Sequence, residues 1–299
     1  SQTSQAADEQ LFGTATAVTT WLLLEFDGRW GREAFEECEL PPVVREWLQS
    51  QLETLPGARI QMLRQNPRLA PEGLAFYVVQ AREADPLLAE FRLERYEDLL
   101  ALDLGALGRA DDPYRDRRRA EPLYLVCTHG RRDRCCALVG LPVYVEAVEA
   151  AGAAVWQSSH VGGHRFAANL VAFPHGLVFG RIESGGAVEI LEGYRRGAID
   201  LSTFRGRACY NQHVQAAEYF LRAATGIDAV EAFRLIEDGP SAPGEWRARF
   251  EDRRDGTQHT LSLAVEMSAF EVLKSCDDDR PVRVTQHRLL HYDAEPAPR

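Results

Sequence analysis

Four side chains near the middle of this sequence are of metal-binding types, and they fall in two pairs. Cys127 and Cys136 flank the loop THGRRDRC, a C-x8-C spacing, and His160 and His164 bracket the stretch HVGGH. A helix would place two histidines four apart on one face, as in the H-E-x-x-H zinc motif. Here two glycines lie between them, each costing a helix about 1 kcal/mol relative to alanine, so the stretch is expected to be a loop. Gly162 and Gly163 would let the backbone turn sharply and approach something bulky, with both imidazoles aimed at it. Two thiolates and two imidazoles suit tetrahedral zinc, or a [2Fe-2S] cluster of the Rieske kind with thiolates on one iron and histidines on the other. The eight-residue gap argues mildly against zinc, because zinc fingers favour two to four residues between cysteines.

Two segments must bring these pairs together. LYLVCT reads as an apolar strand ending at Cys127, and CALVGLPVYVEAVEAAG as a helix opening at Cys136, where partial positive charge and free N–H groups favour a thiolate. AAVWQSS is the next strand, and His160 follows its carboxyl end. The carboxyl ends of neighbouring strands in an α/β sheet share one crevice, so the cysteines and the histidine loop are expected to converge. His129 lies inside the cysteine loop and could support a ligand. Cys135 adds a thiol that could replace Cys136. Arg131, Arg132, Arg134 and Arg165 could supply counter-charge, and Asn169 could tie the histidine loop to the sheet.

Upstream, TWLLLEF (strand), PPVVREWLQSQLETL (helix), ARIQMLR, LAFYVVQA and LLAEFRLER (strands) and YEDLLALDLGAL (short helix) follow in order, and LPPVV echoes LPVYV of the second helix. The charged stretch 108–122 reads as a linker. The fold expected is α/β with two thioredoxin-like units, each a central mixed sheet flanked by helices. They span 12–112 and 120–299, the second with a C-terminal α+β extension that includes a hairpin turned at Asp255-Gly256.

A formal net charge of -11 over 299 residues argues against nucleic acid and anionic membranes as partners, and no long apolar run stands out. The first ten residues, SQTSQAADEQ, lack the apolar core of a secretory signal, so a cytoplasmic protein is expected. In that compartment six cysteines, three of them within ten residues, point to metal or redox chemistry rather than to a disulfide framework. Cys38, Cys209 and Cys276 read as core or surface thiols, and His175, His213, His259, His287 and His291 as structural.

CTHGRRDRCC followed by HVGGHRFAAN resembles the sucrase/ferredoxin-like family of thioredoxin-like ferredoxins, over roughly Leu123 to Asn169 and more loosely through CYNQHVQAAEYFLRAATG. The resemblance implies a [2Fe-2S] cluster with Cys127 and Cys136 on one iron and His160 and His164 on the reducible one. The function expected is a one-electron carrier, proton-coupled where the second ring N–H is solvent-accessible, working with a redox protein or a small redox mediator; a homodimer stays open. The gap before the histidines is at the short end of the family pattern. The alternatives are a thiol–disulfide oxidoreductase using Cys127, Cys135 or Cys136, and a structural zinc module. No carboxylate pair is spaced as a glycosidase acid and base, so sucrose hydrolysis has no support.

Overall fold

A computed structural model describes residues 2–69, 72–276 and 278–297. After a short helix α1 (Gln2–Ala6), strand β1 (Thr20–Glu25) is apolar on both faces, so it must lie inside a sheet covered on two sides. Helix α2 (Pro42–Thr54) starts at a proline and buries Val44 and Leu48, one turn apart. Strands β2 (Ala58–Arg64), β3 (Leu74–Gln80) and β4 (Leu87–Leu93) follow. The segment expected as a short helix forms two 3-10 turns instead, Tyr96–Ala101 and Leu104–Ala106. The charged stretch 108–122 is fastened to β4, with the Arg119 N–H donating to Leu88 O at 2.8 Å and Asp112 buried against Arg118.

The same sequence of elements then recurs. Strand β5 (Leu123–Cys127), helix α3 (Arg134–Ala151), and strands β6 (Val155–Ser158), β7 (Leu170–Phe173) and β8 (Leu177–Phe179) are followed by helix α4 (Gly186–Arg195) and strand β9 (Phe204–Arg207). One nine-stranded mixed sheet takes in both sets in the order β4-β3-β1-β2-β6-β5-β7-β8-β9. In each set the first two strands are parallel, and the other two add antiparallel beside the first. The sets meet at an antiparallel β2–β6 contact, Leu63 opposite Ser158 and Arg64 opposite Gln157.

Side-chain alternation divides the core. Trp21, Leu23, Leu123, Leu125 and Cys127 face one continuous interior. Leu22 and Leu24 pack in the α2 cluster, whereas Tyr124 and Val126 join the cluster that includes α3 and α4 residues. Trp21 of β1 meets Phe173 of β7 edge-on at 5.2 Å, although three strands separate them in the sheet, so the sheet curls around the shared interior. This is the α/β thioredoxin-like architecture expected.

Helix α5 (Gln212–Thr225) packs against a separate antiparallel sheet of β10 (Phe233–Ala242), β11 (Glu245–Asp252), β12 (Gln258–Met267) and β13 (Thr285–Glu295). Between β9 and α5 lies a buried ion triad in which Glu218 accepts from Arg207 at 2.8 Å and Arg222 at 2.9 Å. Residues 134–154 are long and apolar enough to cross a membrane by length and composition. In the fold this helix lies on the sheet and buries Cys136, Gly140, Val143, Tyr144 and Ala147.

Candidate metal centre

The centre sits where β5 and β6 end. Cys127 is the last residue of β5, and its N–H donates to Asn169 O at 3.0 Å. The chain then turns through the cysteine loop to Asp133, whose carboxylate caps α3 by accepting the Cys135 N–H at 2.8 Å. That cap aims the first helical turn and places Cys136, 1% exposed, beside Cys127, also 1% exposed. Gly140 lets the helix come close enough: a Cβ there would stand 2.1 Å from the Cys127 carbonyl oxygen. The sulfurs of Cys127 and Cys136 and a ring nitrogen of His160 all lie within 4.8 Å of one another.

His160 Nδ1 is 3.8 Å from the Cys136 sulfur, and its Nε2 is 3.3 Å from His164 Nδ1. The two imidazole centroids are 4.9 Å apart. His164 Nε2 is buried and stands 3.8 Å from the Asp133 carboxylate, beyond hydrogen-bond reach, and the Lys274 carbonyl lies near the ring. All four residues singled out in the sequence are therefore neighbours. Cys135 is not among them: it turns to the other side of the helix start and groups with Asp133 and Cys276.

The histidine loop needs both glycines. Gly162 has φ +96° and Gly163 φ +68°, where L-residues are strained, and each is also packed tightly. A Cβ at 162 would stand 2.1 Å from Thr16 Oγ1, and one at 163 would stand 2.2 Å from the Arg205 guanidinium. Asn169 fastens the loop, donating through Nδ2 to Gly163 O at 3.1 Å and accepting from Arg205 at 2.7 Å.

His129 joins the centre to the first half of the molecule. Its Nδ1 accepts the His160 backbone N–H at 3.2 Å, and its Nε2–H donates to Gly31 O at 2.7 Å. These bonds fix the tautomer. Burial holds its pKa below the ordinary histidine value, in keeping with a neutral ring. Other first-half groups reach the same loop: Ser159 N–H donates to Met62 O at 2.8 Å, Thr16 Oγ1 donates to Val161 O at 3.3 Å, and Arg59 donates to His160 O.

The charges are arranged for anionic donors. A hydrogen bond from the Cys136 thiol outweighs burial and, with His160 and the His129 N–H, holds Cys127 well below the usual thiol range. The same bond pushes Cys136 up, so the pair shares one proton. His164 is lowered by burial, and further by His160. The buried cations beside Cys127 are Arg59 and Arg205, both lowered by burial and Arg205 to about 9. Neither was legible in the sequence. Of the arginines expected to supply counter-charge, Arg165 pairs with Glu9 at 2.8 Å and Arg132 with Glu33, whereas Arg131 and Arg134 are exposed. Asp133 could have been foreseen as the polar residue before a helix start.

A family model described as sucrase/ferredoxin-like matches residues 11–206, about two thirds of the chain. The chain belongs to the sucrase/ferredoxin-like family. No curated protein and no solved structure matches it. The sucrase/ferredoxin-like match takes in both halves of the nine-stranded sheet, including the first unit, which the sequence resemblance left out. It ends within β9, before α5 and the four-stranded sheet. Within it lie two cysteines and a histidine grouped so that they could hold a metal ion.

Proposed function

We propose that Cys127, Cys136, His160 and His164 hold a [2Fe-2S] cluster and that the protein is a one-electron carrier of a reducing, cytoplasmic compartment. The observation carrying this reading is the convergence of two buried sulfurs and the His160 ring nitrogen within 4.8 Å, with the His164 ring against His160, in a chain of a ferredoxin-like family. Such a cluster supplies a single reversible electron, at a potential above that of all-cysteine plant-type centres when histidines hold one iron.

The chain's own residues bind and shield. Cys127 offers an anionic sulfur beside Arg59 and Arg205. His129 fixes the His160 backbone, and Asn169 the turn before His164. His164 Nε2 stands 3.8 Å from the Asp133 carboxylate, so a proton carried on that atom would lie beside this anion. The partner would be a redox protein or a small redox mediator meeting the His160 side, where a cavity of about 290 Å³ is lined by Arg59, Arg132, His129 and His160.

A single zinc ion is the second reading, favoured by the 3.8 Å between the Cys136 sulfur and His160 Nδ1, close to the edge of one coordination tetrahedron. Thiol exchange at Cys127 and Cys136 has less support, because both are buried. Iron, acid-labile sulfide and zinc determinations on anaerobically purified protein, with visible and EPR spectra, separate the readings. Two irons and two sulfides per chain are expected; stoichiometric zinc without colour overturns the cluster.

A further inference from the structure

Outside the proposed centre a second pair of thiols meets at the same helix start. The loop between β12 and β13 is pinched at its base, where the Ser268 N–H donates to Val284 O at 2.8 Å and Val272 and Val282 pair as an isolated bridge. Its tip reaches α3. There the Asp133 carboxylate accepts the Cys135 N–H on Oδ1 at 2.8 Å, and the Cys276 N–H and Ser275 hydroxyl on Oδ2 at 2.8 and 3.0 Å. The Cys135 and Cys276 sulfurs lie within 4.8 Å of each other and of that carboxylate.

We propose that Cys135 and Cys276 form a reversible intramolecular disulfide that ties this loop to the first turn of α3. The carboxylate already holds both backbones, so most of the ordering that loop closure would cost is met before the bond forms. The sulfurs need to close by at most about 3 Å to reach S–S bonding distance. Access favours this pair over the other: Cys276 is exposed and Cys135 half-buried, whereas Cys127 and Cys136 are 1% exposed. A metal ion between the two sulfurs is less suited to the site, because three donors already occupy the Asp133 oxygens.

The oxidant is a small disulfide of the glutathione class, RSSR. The Cys276 thiolate attacks one of its sulfurs, forming Cys276–S–SR and releasing RS⁻. The Cys135 thiolate then displaces the second RS⁻ from the Cys276 sulfur. Two thiols of the chain lose two electrons and two protons, and RSSR becomes two RSH. The bond would hold the Lys274 carbonyl against His164 and the cap on α3, so both ends of the loop tip would be fixed beside the proposed centre. The inference stands whether that centre holds iron, zinc or nothing.

The test uses the protein as purified, incubated anaerobically with oxidised glutathione, alkylated and digested with trypsin. Partial burial, then hydrogen bonds to Cys135 and Asp133, push the Cys276 thiol up to about 12, so the exchange is run near pH 9 to speed the first attack. Expected is a linked pair of peptides, 135–165 and 275–283, two hydrogens lighter than their sum and separated again by reduced glutathione. Cys135→Ser should abolish the link and leave glutathione on Cys276. A link that survives Cys135→Ser would assign the bond to Cys136 and overturn the proposal. A stable glutathione adduct on Cys276 of the native chain, with Cys135 still alkylated, would overturn it too, as would two unreacted thiols.

Discussion

The two halves of the nine-stranded sheet share one connectivity but differ in what stands at their strand ends. Strands β1–β4 and β5–β8 run strand, helix, parallel strand, then two antiparallel strands, ordered β4-β3-β1-β2 and β8-β7-β5-β6, and they meet head-on at β2–β6. After β5 and β6 come Cys127, Cys136 and the histidine loop. At the end of β1 stand Glu25 and Phe26, and the loop to α2 carries one thiol, Cys38, buried and donating to Phe35 O at 2.9 Å. Burial pushes that thiol up, against the pull of Arg45, the opposite of Cys127. After β2 the chain continues Gln65-Asn66-Pro67, and Gln65 Nε2 bonds the Ala153 carbonyl in the other half. One half supplies donors. The other supplies the Gly31 carbonyl, Arg59 and the Met62 carbonyl that hold those donors still. Matching topology therefore does not imply matching chemistry, and a half without ligands can still be part of the site.

The sharpest test of that contrast is thiol for thiol. Cys127→Ala should lose all bound metal, whereas Cys38→Ala should lose none, as read by metal content per chain; equal losses would collapse the distinction. Next come the buried carboxylates flanking each half. Glu218→Gln should cost about 3–5 kcal/mol in urea unfolding, since it leaves Arg207 and Arg222 buried against a neutral group. Asp112→Asn should cost less, because its partner Arg118 is half-exposed. Burial raises the Glu218 pKa, but the two arginines more than offset this and hold it below the ordinary value. Its contribution is thus present above the unfolded pKa of about 4.3 and is lost as pH falls through the folded one. The variant should flatten the acid limb of stability against pH.

Gly163→Ala should destabilise by more than the about 1–2 kcal/mol expected of left-handed strain alone. Gly226→Ala is the control: φ is +69° there, and a Cβ would meet nothing within 4 Å. Equal shifts in Tm would mean that the Arg205 contact does not matter. His129→Ala should weaken metal retention against a chelator by about 10–100-fold, and should also lower global stability, since it removes a buried ring bonded to both halves. Arg132→Ala, which breaks a partly exposed ion pair to Glu33 across the two halves, should cost at most about 1 kcal/mol and lose that effect in high salt.

The donor set and its strand ends were legible because C-x8-C and H-x-G-G-H are local patterns, and the unbroken apolar runs in LYLVC and TWLLLE mark strands covered on both faces. What was not legible is long-range. Arg59 and Arg205 lie 68 residues before Cys127 and 41 after His164; the β2–β6 pairing brings the first to the loop and the curl of the sheet the second. YEDLLA has helical spacing, yet its first turn is set by Asp98 accepting the Glu94 and Arg95 N–H groups, and it tightens to a 3-10 form. Cys276 looked like an ordinary thiol because nothing near it in sequence points to Asp133.

One missing methyl group sets the spacing of the two sulfurs. Helix α3 rests on the Cys127 carbonyl only because position 140 carries a hydrogen where any other residue would carry carbon. A larger residue would lever the helix outward and swing Cys136 off its neighbour, though it lies a full turn beyond Cys136. The bite of the dithiol is thus machined one turn further along the helix, on the face that Cys136 shares, by an atom that is not there.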